Sequence, residues 1–180
     1  LGRIEAAALH SREIVRKLSL FARQAPAKLR PLSLNRVVRE GMFLIESRCR
    51  KEGIELSLEL DDQVPDVVGD AGQLTQVLLN LVVNAIQAMP PAGALRVVTQ
   101  PGEGGAQLRV VDSGAGMPPE VCRRIFEPFY TTKDVGEGTG LGLSVVHGIV
   151  KAHGGDIDVD STPGEGTTFI VTLPREVPHA

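Results

Sequence analysis

Apolar residues recur at spacings of three and four over residues 1–24 (Ile4, Ala7, Ala8, Ile14, Val15, Leu18, Phe21), which predicts a leading helix. Pro26 and Pro31 bracket a short linker, "APAKLRP". A second helix is predicted from Asn35, read as its cap, to about Glu52, with Gly53 as its stop. The alternation of "IELSLEL" (54–60) predicts a strand, and "DDQVPD" after it a turn. A third helix is predicted from about Gly72 to Met89, ending at Pro90-Pro91. Strands at 94–100 and 106–112 are joined by "PGEGG" as a hairpin. A last helix over 142–153 stops at Gly154-Gly155, and "DIDVDS" and "TTFIVTL" close the chain as a second hairpin around "TPGEG". The order predicts an α+β domain, with a sheet built largely from hairpins, behind one leading helix.

Composition narrows the function class more than the fold. The net charge of −3 is unevenly spread, with eleven Lys/Arg against four Asp/Glu in residues 1–50 and eight against eighteen beyond. A basic arm for nucleic acid is one reading of that bias. The favoured one is a basic, solvated helix face, because the charges are interspersed with apolar residues; no nucleic-acid partner is expected. Cys49 and Cys122 stand far apart with no ligand cluster beside them, so a reducing, cytoplasmic setting is expected rather than a disulfide or zinc site. No apolar run reaches membrane-spanning length and no signal peptide is visible, so no membrane contact is expected of these residues. The chain opens on Leu1, and we read it as a fragment of a longer protein whose upstream segments could hold a membrane anchor.

Residues 71–89, "AGQLTQVLLNLVVNAIQAM", carry no charge. Leu74, Val77, Leu78, Leu81, Val82, Ala85, Ile86 and Met89 form one stripe. Beside it Gln73, Gln76, Asn80, Asn84 and Gln87 fall within roughly 80° of arc at about 100° per residue. A row of neutral amides fits a polar ligand, and amide oxygens are hard donors suited to Mg²⁺, which takes few protein ligands. A buried helix with a few hydrogen-bonded amides accounts for the same residues equally well.

Glycine marks two further places. "VVDSGAGMP" sets Asp112, Gly114 and Gly116 at a strand end. Alone it reads best as a turn, although a strand-end carboxylate could also accept from an exocyclic amine while the glycines admit a flat ring. "FEPFYTTKDVGEGTGLGLS" (126–144) gathers three of the chain's six aromatics, a lysine and alternating glycines. It is neither a P-loop nor a dinucleotide fingerprint. Gly138, Gly140 and Gly142 nevertheless run straight into an apolar helix, whose N-terminus is a ready anion site, and Lys133 is a cation for a phosphate.

In this order, Asn80-x-x-x-Asn84, Asp112-x-Gly114-x-Gly116, Phe126-x-x-Phe129 and Gly138-x-Gly140-x-Gly142 resemble the catalytic, ATP-binding domain of bacterial sensor histidine kinases. "NLVVNAIQAMP", "VVDSGAGM", "IFEPFYTTK" and "GTGLGLSVVHGIVKAHGG" are similar to that family's N, first glycine, F and second glycine boxes, over about residues 30–175. The resemblance implies a two-layer α/β sandwich of the Bergerat type with a mixed sheet. It implies residues 1–29 as part of a dimerisation and phosphotransfer hairpin with its linker, and 30–177 as the catalytic domain. By the same resemblance, Asn84 with Asn80 would hold Mg²⁺, and Asp112 would recognise the adenine amine beside Gly114 and Gly116. Gly138, Thr139, Gly140, Leu141 and Gly142 would line the phosphates. Lys133 would reach them from a lid that the aromatics anchor at one end. Asn80, Asn84 and Lys133 would then carry a phosphoryl transfer made of positioning and charge neutralisation. The implied partners are ATP, a response regulator receiver domain and, through the hairpin, a second copy of the chain.

Two positions depart from the family pattern. Gln87 stands where many relatives have a basic residue. None of His10, His147, His153 or His179 has the surroundings of the family's phosphorylated histidine, so the acceptor is expected to be missing from this fragment. An ATP hydrolase of the same superfamily would carry a glutamate where Asn80 stands, and an amide cannot act as a base. A non-catalytic nucleotide-binding module would show eroded motifs, and these are intact apart from Gln87.

Overall fold

A computed structural model describes residues 27–133 and 139–176. The helix expected over 1–24, with His10, lies outside the described residues, as do Gly138 and His179. The elements are β1 (Arg30–Leu32), α1 (Leu34–Lys51), β2 (Glu55–Leu60), β3 (Val67–Gly69) and α2 (Ala71–Ala88). They continue with β4 (Ala94–Gly102), β5 (Gly105–Asp112), the short α3 (Pro119–Cys122), α4 (Gly142–Ala152), β6 (Asp156–Thr162) and β7 (Gly166–Pro174).

Five strands form a mixed sheet in the order β2-β4-β5-β7-β6; β2 and β4 are parallel and the other pairs antiparallel. The parallel pair needs a crossover, which β3 and α2 supply. Register puts Val97 opposite Val110 and Val110 opposite Phe169, and Thr99 opposite Leu108 and Leu108 opposite Val171, so one face of the sheet is apolar. That face is buried together with the apolar sides of α1, α2 and α4 in a single core. The seven stripe residues of α2 from Leu74 to Ile86 are all buried, and Met89 packs half-buried against them. A Cβ on Gly41 would lie 2.7 Å from Leu78 Cδ2, so α1 reaches α2 through a position that tolerates no side chain.

Three expectations are corrected here. The cap of α1 is Ser33, whose side chain accepts from Arg36 N–H, and Asn35 lies inside the first turn. Asn35 is buried instead, donating to the Asp61 carbonyl at 2.8 Å and accepting from the hydroxyl of Thr99, so it fastens α1 to the turn after β2 and to β4. The linker reading of "APAKLRP" fails at its end, because Arg30 and Pro31 begin β1, which pairs antiparallel with β3. A proline is tolerated on such a peripheral strand, where it need not donate to a ladder. Finally, His153 is not inside a helix but caps the end of α4, with no exposed surface. Its Nε2 accepts from Asp70 N–H at 3.0 Å and its Nδ1 meets the Ile149 carbonyl at 2.8 Å, so both ring nitrogens are engaged by backbone groups.

On α1, Arg36, Arg48 and Arg50 face Glu40, Glu52 and Glu46 at spacings of four, the pattern of a solvated helix face. No helix among the described residues is long and apolar enough to cross a membrane.

Replacing Asn35 by alanine leaves the Thr99 hydroxyl buried without its partner. Urea titration of Asn35→Ala is expected to show a loss of about 1–3 kcal/mol of unfolding free energy, whereas an Asn35 acting only as a helix cap would be replaced by Ser33 at no cost.

Candidate functional site

The N-terminus of α2 is held from three sides. Asp70 caps it by accepting from Gln73 N–H at 3.1 Å, its other carboxylate oxygen accepts from Lys28 N–H at 2.9 Å, and its own N–H reaches His153. These backbone donors hold the Asp70 carboxyl below the usual carboxylate range, the Lys28 N–H contributing most. So fixed, α2 turns Gln76, Asn80, Asn84 and Gln87 into a cavity of about 650 Å³, while Gln73 is not among its lining residues. The amide row of the sequence therefore faces the cavity over four of its five members.

Asp112 ends β5 at the floor of this cavity, only 4% exposed. Burial pushes its carboxyl up from the ordinary value, partly offset by N–H groups donated from Gly114, at 2.8 Å, and from Thr167. A buried acceptor with solvent-poor surroundings is suited to a ligand N–H. The nearby glycines have a different reason from the one expected. A Cβ on Gly114 would lie 2.7 Å from the Ala88 carbonyl oxygen, and one on Gly116, at φ +64°, 2.0 Å from that of Thr162. Both are required by the chain's own close approach to α2 and to the β6–β7 turn, and only Gly116 also lines the cavity.

Another part of the lining comes from Tyr130–Lys133 and from Thr139 to the start of α4. Thr139, Gly140, Leu141 and Gly142 line the cavity, and so do Tyr130, Thr131, Thr132 and Lys133. Gly140, at φ +63°, lies so close to Phe129 that a Cβ would come 2.4 Å from its carbonyl carbon, and Phe129 N–H donates to the Gly140 carbonyl at 2.9 Å. Aromatics and glycines thus share a stretch because the two backbones lie against each other. Of the aromatics, Phe126 is the anchor, half-buried against the core with its ring 5.6 Å from that of His147. Phe129 is not an anchor: its side chain is 66% exposed, on a backbone at φ +67°. Tyr130 lines the cavity with the Arg124 guanidinium 4.3 Å above its ring.

At Gly142, α4 begins with no side-chain cap and no acidic residue in its first turn. Its first N–H groups have no helical partner and meet the cavity beside Asn80, whose amide approaches the Gly142 carbonyl at 3.5 Å. A Cβ on Gly142 would have Asn84 Nδ2 as its nearest neighbour, at 3.9 Å, so this glycine leaves open space beside the amide row. Lys133 donates its ammonium to Gln87 Oε1 across the same end. Thr167 and Tyr130 carried no signal in the sequence. Thr167 reaches the site only because β7 pairs with β5 in register with Asp112.

Residues 69–177 match the family of histidine kinase-, DNA gyrase B- and HSP90-like ATPases. Sensor histidine kinase ZraS of Escherichia coli (strain K12) is 38% identical over 164 residues, 91% of this chain and 35% of that protein. Sensor kinase CckA of Brucella abortus (strain 2308) is 41% identical over 177 residues, 90% of this chain and 19% of that protein. The chain therefore spans about a third or less of the length of these relatives. Among solved structures, the nucleotide-free catalytic domain of histidine kinase ThkA is similar with a TM-score of 0.75 at 35% identity, over 82% of this chain and 96% of that one. Full-length ShkA in complex with AMPPNP gives 0.82 at 31% identity, over 95% and 37%. ThkA in complex with response regulator protein TrrA gives 0.79 at 29% identity, over 97% and 49%. The chain belongs to the histidine kinase-, DNA gyrase B- and HSP90-like ATPase family, and its fold is that of histidine kinase catalytic domains.

The raised carboxyl of Asp112 has a stability consequence of definite sign. Its folded value lies above the unfolded one, so its contribution is fully present below the ordinary value of 3.8 and is lost as the pH rises through the folded value. Asp112→Asn should therefore gain stability relative to the nucleotide-free wild type as the pH is raised from about 3 to 7. Denaturation curves across that range test it, and a difference that stays flat with pH would place the carboxylate in an unstrained setting.

Proposed function

We propose that residues 30–177 are the catalytic domain of a sensor histidine kinase, binding Mg·ATP in this cavity and transferring its γ-phosphoryl group to a histidine for relay to a response regulator. One observation carries the reading: an uncharged amide face, a buried carboxylate and an uncapped helix N-terminus converge on one cavity. Asp112 would accept from the adenine amine in the solvent-poor end, where a ring lacking that N–H would leave it unpaired. The N–H groups at the start of α4, with Thr139 to Gly142, would cradle the phosphates. Gly138, outside the described residues, would extend that cradle.

Among the described residues no three His, Cys, Asp or Glu side chains gather to hold a metal. Among the groups that face the cavity, the carboxamides of Asn80 and Asn84 are hard, neutral donors one helical turn apart, which fit Mg²⁺ and not zinc. Asn84, with Asn80, would hold the ion, and when bound it supplies charge neutralisation on the phosphoryl oxygens. Lys133 would add a second positive charge and orient the transferring group.

The acceptor histidine would lie outside this chain. His153 has both ring nitrogens engaged by backbone groups, and His147 stacks on Phe126. Residues 1–29 would belong to the dimerisation hairpin, through which two copies pair, and the domain would work in the cytoplasm. The relay is supported by the ThkA–TrrA complex, a relative held by a response regulator.

Calorimetric titration with ADP or a non-hydrolysable ATP analogue should show saturable binding that Asp112→Ala abolishes. With γ-labelled ATP the chain should take up no acid-labile, base-stable phosphate. Undiminished binding by Asp112→Ala, or self-labelling, would contradict the reading.

A further inference from the structure

We propose that Ser161 is a positioning residue for the base-reading end of the cavity: it takes up the hydroxyl proton of Thr167, so that Thr167 stands beside Asp112 as a fixed acceptor. The inference rests on the nucleotide reading and deepens it, naming what sets the choice of base.

Register carries three polar side chains in a row across the inner face of the sheet. Asp112 of β5 stands opposite Thr167 of β7, and Thr167 opposite Ser161 of β6. The next row on that face is apolar, with Val110 opposite Phe169 and Phe169 opposite Val159. Asp112 and Thr167 are buried and line the cavity. Ser161 is half-buried and not among the lining residues, yet its Oγ lies 2.9 Å from Thr167 Oγ1. Whatever it does for a ligand, it does through Thr167.

The direction of that hydrogen bond follows from counting protons. A serine hydroxyl has one proton and two lone pairs. Met117 N–H donates to Ser161 Oγ at 2.8 Å, and Ser161 donates to the Gly166 carbonyl at 3.0 Å. An N–H can only donate and a carbonyl can only accept, so these two contacts use the proton and one lone pair. The third contact falls on the remaining lone pair, and Thr167 is its donor. The reverse direction would give up the bond to Gly166. Thr167 therefore has lone pairs alone to offer a ligand. The N–H groups of Gly114 and Thr167 are themselves spent on the Asp112 carboxylate.

Two acceptors side by side suit a base edge that carries an exocyclic amine, whose two N–H groups meet them directly or through a water. A six-oxo purine would bring a carbonyl oxygen against both. A free threonine hydroxyl could turn its proton to that oxygen, and Ser161 removes the option. Selectivity for the amine thus depends on a residue outside the cavity lining.

The test is calorimetric titration of the whole 180-residue chain in Mg²⁺ with ADP and with IDP, its six-oxo counterpart. Ser161→Ala should lower the preference for ADP over IDP by about three- to tenfold, the scale of one hydrogen bond, with IDP bound more tightly than by wild type. Ser161→Thr keeps the hydroxyl and should keep the preference. Ser161→Cys, close in shape but a weak acceptor, should move it in the same direction as alanine and serves if alanine impairs folding. In a Thr167→Val background, Ser161→Ala should leave the preference unchanged. Equal weakening of both nucleotides, no gain for IDP, or a shift that survives in Thr167→Val would overturn the inference and leave the nucleotide reading intact. A wild type that binds neither probe would overturn both.

Discussion

The structure depends on one helix that has no water-facing charge to give up. One side of α2 is packed into the dry core and the other faces the cavity, so neither can carry a Lys/Glu face. A charge on the core side would be buried without a partner, and on the proposed reading an acid on the cavity side would repel the nucleotide's phosphates. Neutral amides resolve both demands, since they remain polar enough to bind and uncharged enough to pack. The usual aids to an isolated helix, charges in its first and last turns, are accordingly absent. Tertiary contacts at its start, from Asp70 and His153, take their place.

Close backbone approach is the second constraint, and it explains where glycine falls. Gly114, Gly116 and Gly140 each face a backbone carbonyl group that any Cβ would strike. Through the first two the loop after β5 is pressed onto α2 and the β6–β7 turn, and through Gly140 the start of α4 is pressed onto Phe129. Gly142 differs, for it leaves open space beside Asn84. The glycines of one family motif thus perform two tasks, one architectural and one at the site.

Much of this was legible in the chain. The α2 stripe, the amide row and the two hairpins follow directly from periodicity and turn residues, because burial and pleat impose those periods. The readings that failed are the ones where a residue type has two uses. Asn35 looks like a cap and is a buried brace, since both uses satisfy the same amide and only the position of Thr99 decides between them. Arg30–Leu32 looks like linker because three residues beside a proline show no alternation. Phe129 looks like an anchor because aromatics usually are, yet its side chain is turned out on a left-handed backbone. Thr167 and Tyr130 were invisible for a simpler reason: pairing register and chain reversal bring them to the cavity, and neither is written in a local motif.

The central claim is that the uncharged face of α2 is a metal and phosphate surface rather than a hydrogen-bonded part of the core. The most direct measurement is the affinity for a non-hydrolysable ATP analogue with and without Mg²⁺, in wild type and in Asn84→Ala. The account predicts that Mg²⁺ tightens wild-type binding and that Asn84→Ala loses that gain while keeping its metal-free affinity. If Asn84→Ala retained the full gain from Mg²⁺, or lost affinity equally with and without the ion, the amide row would be architecture and the claim would fall.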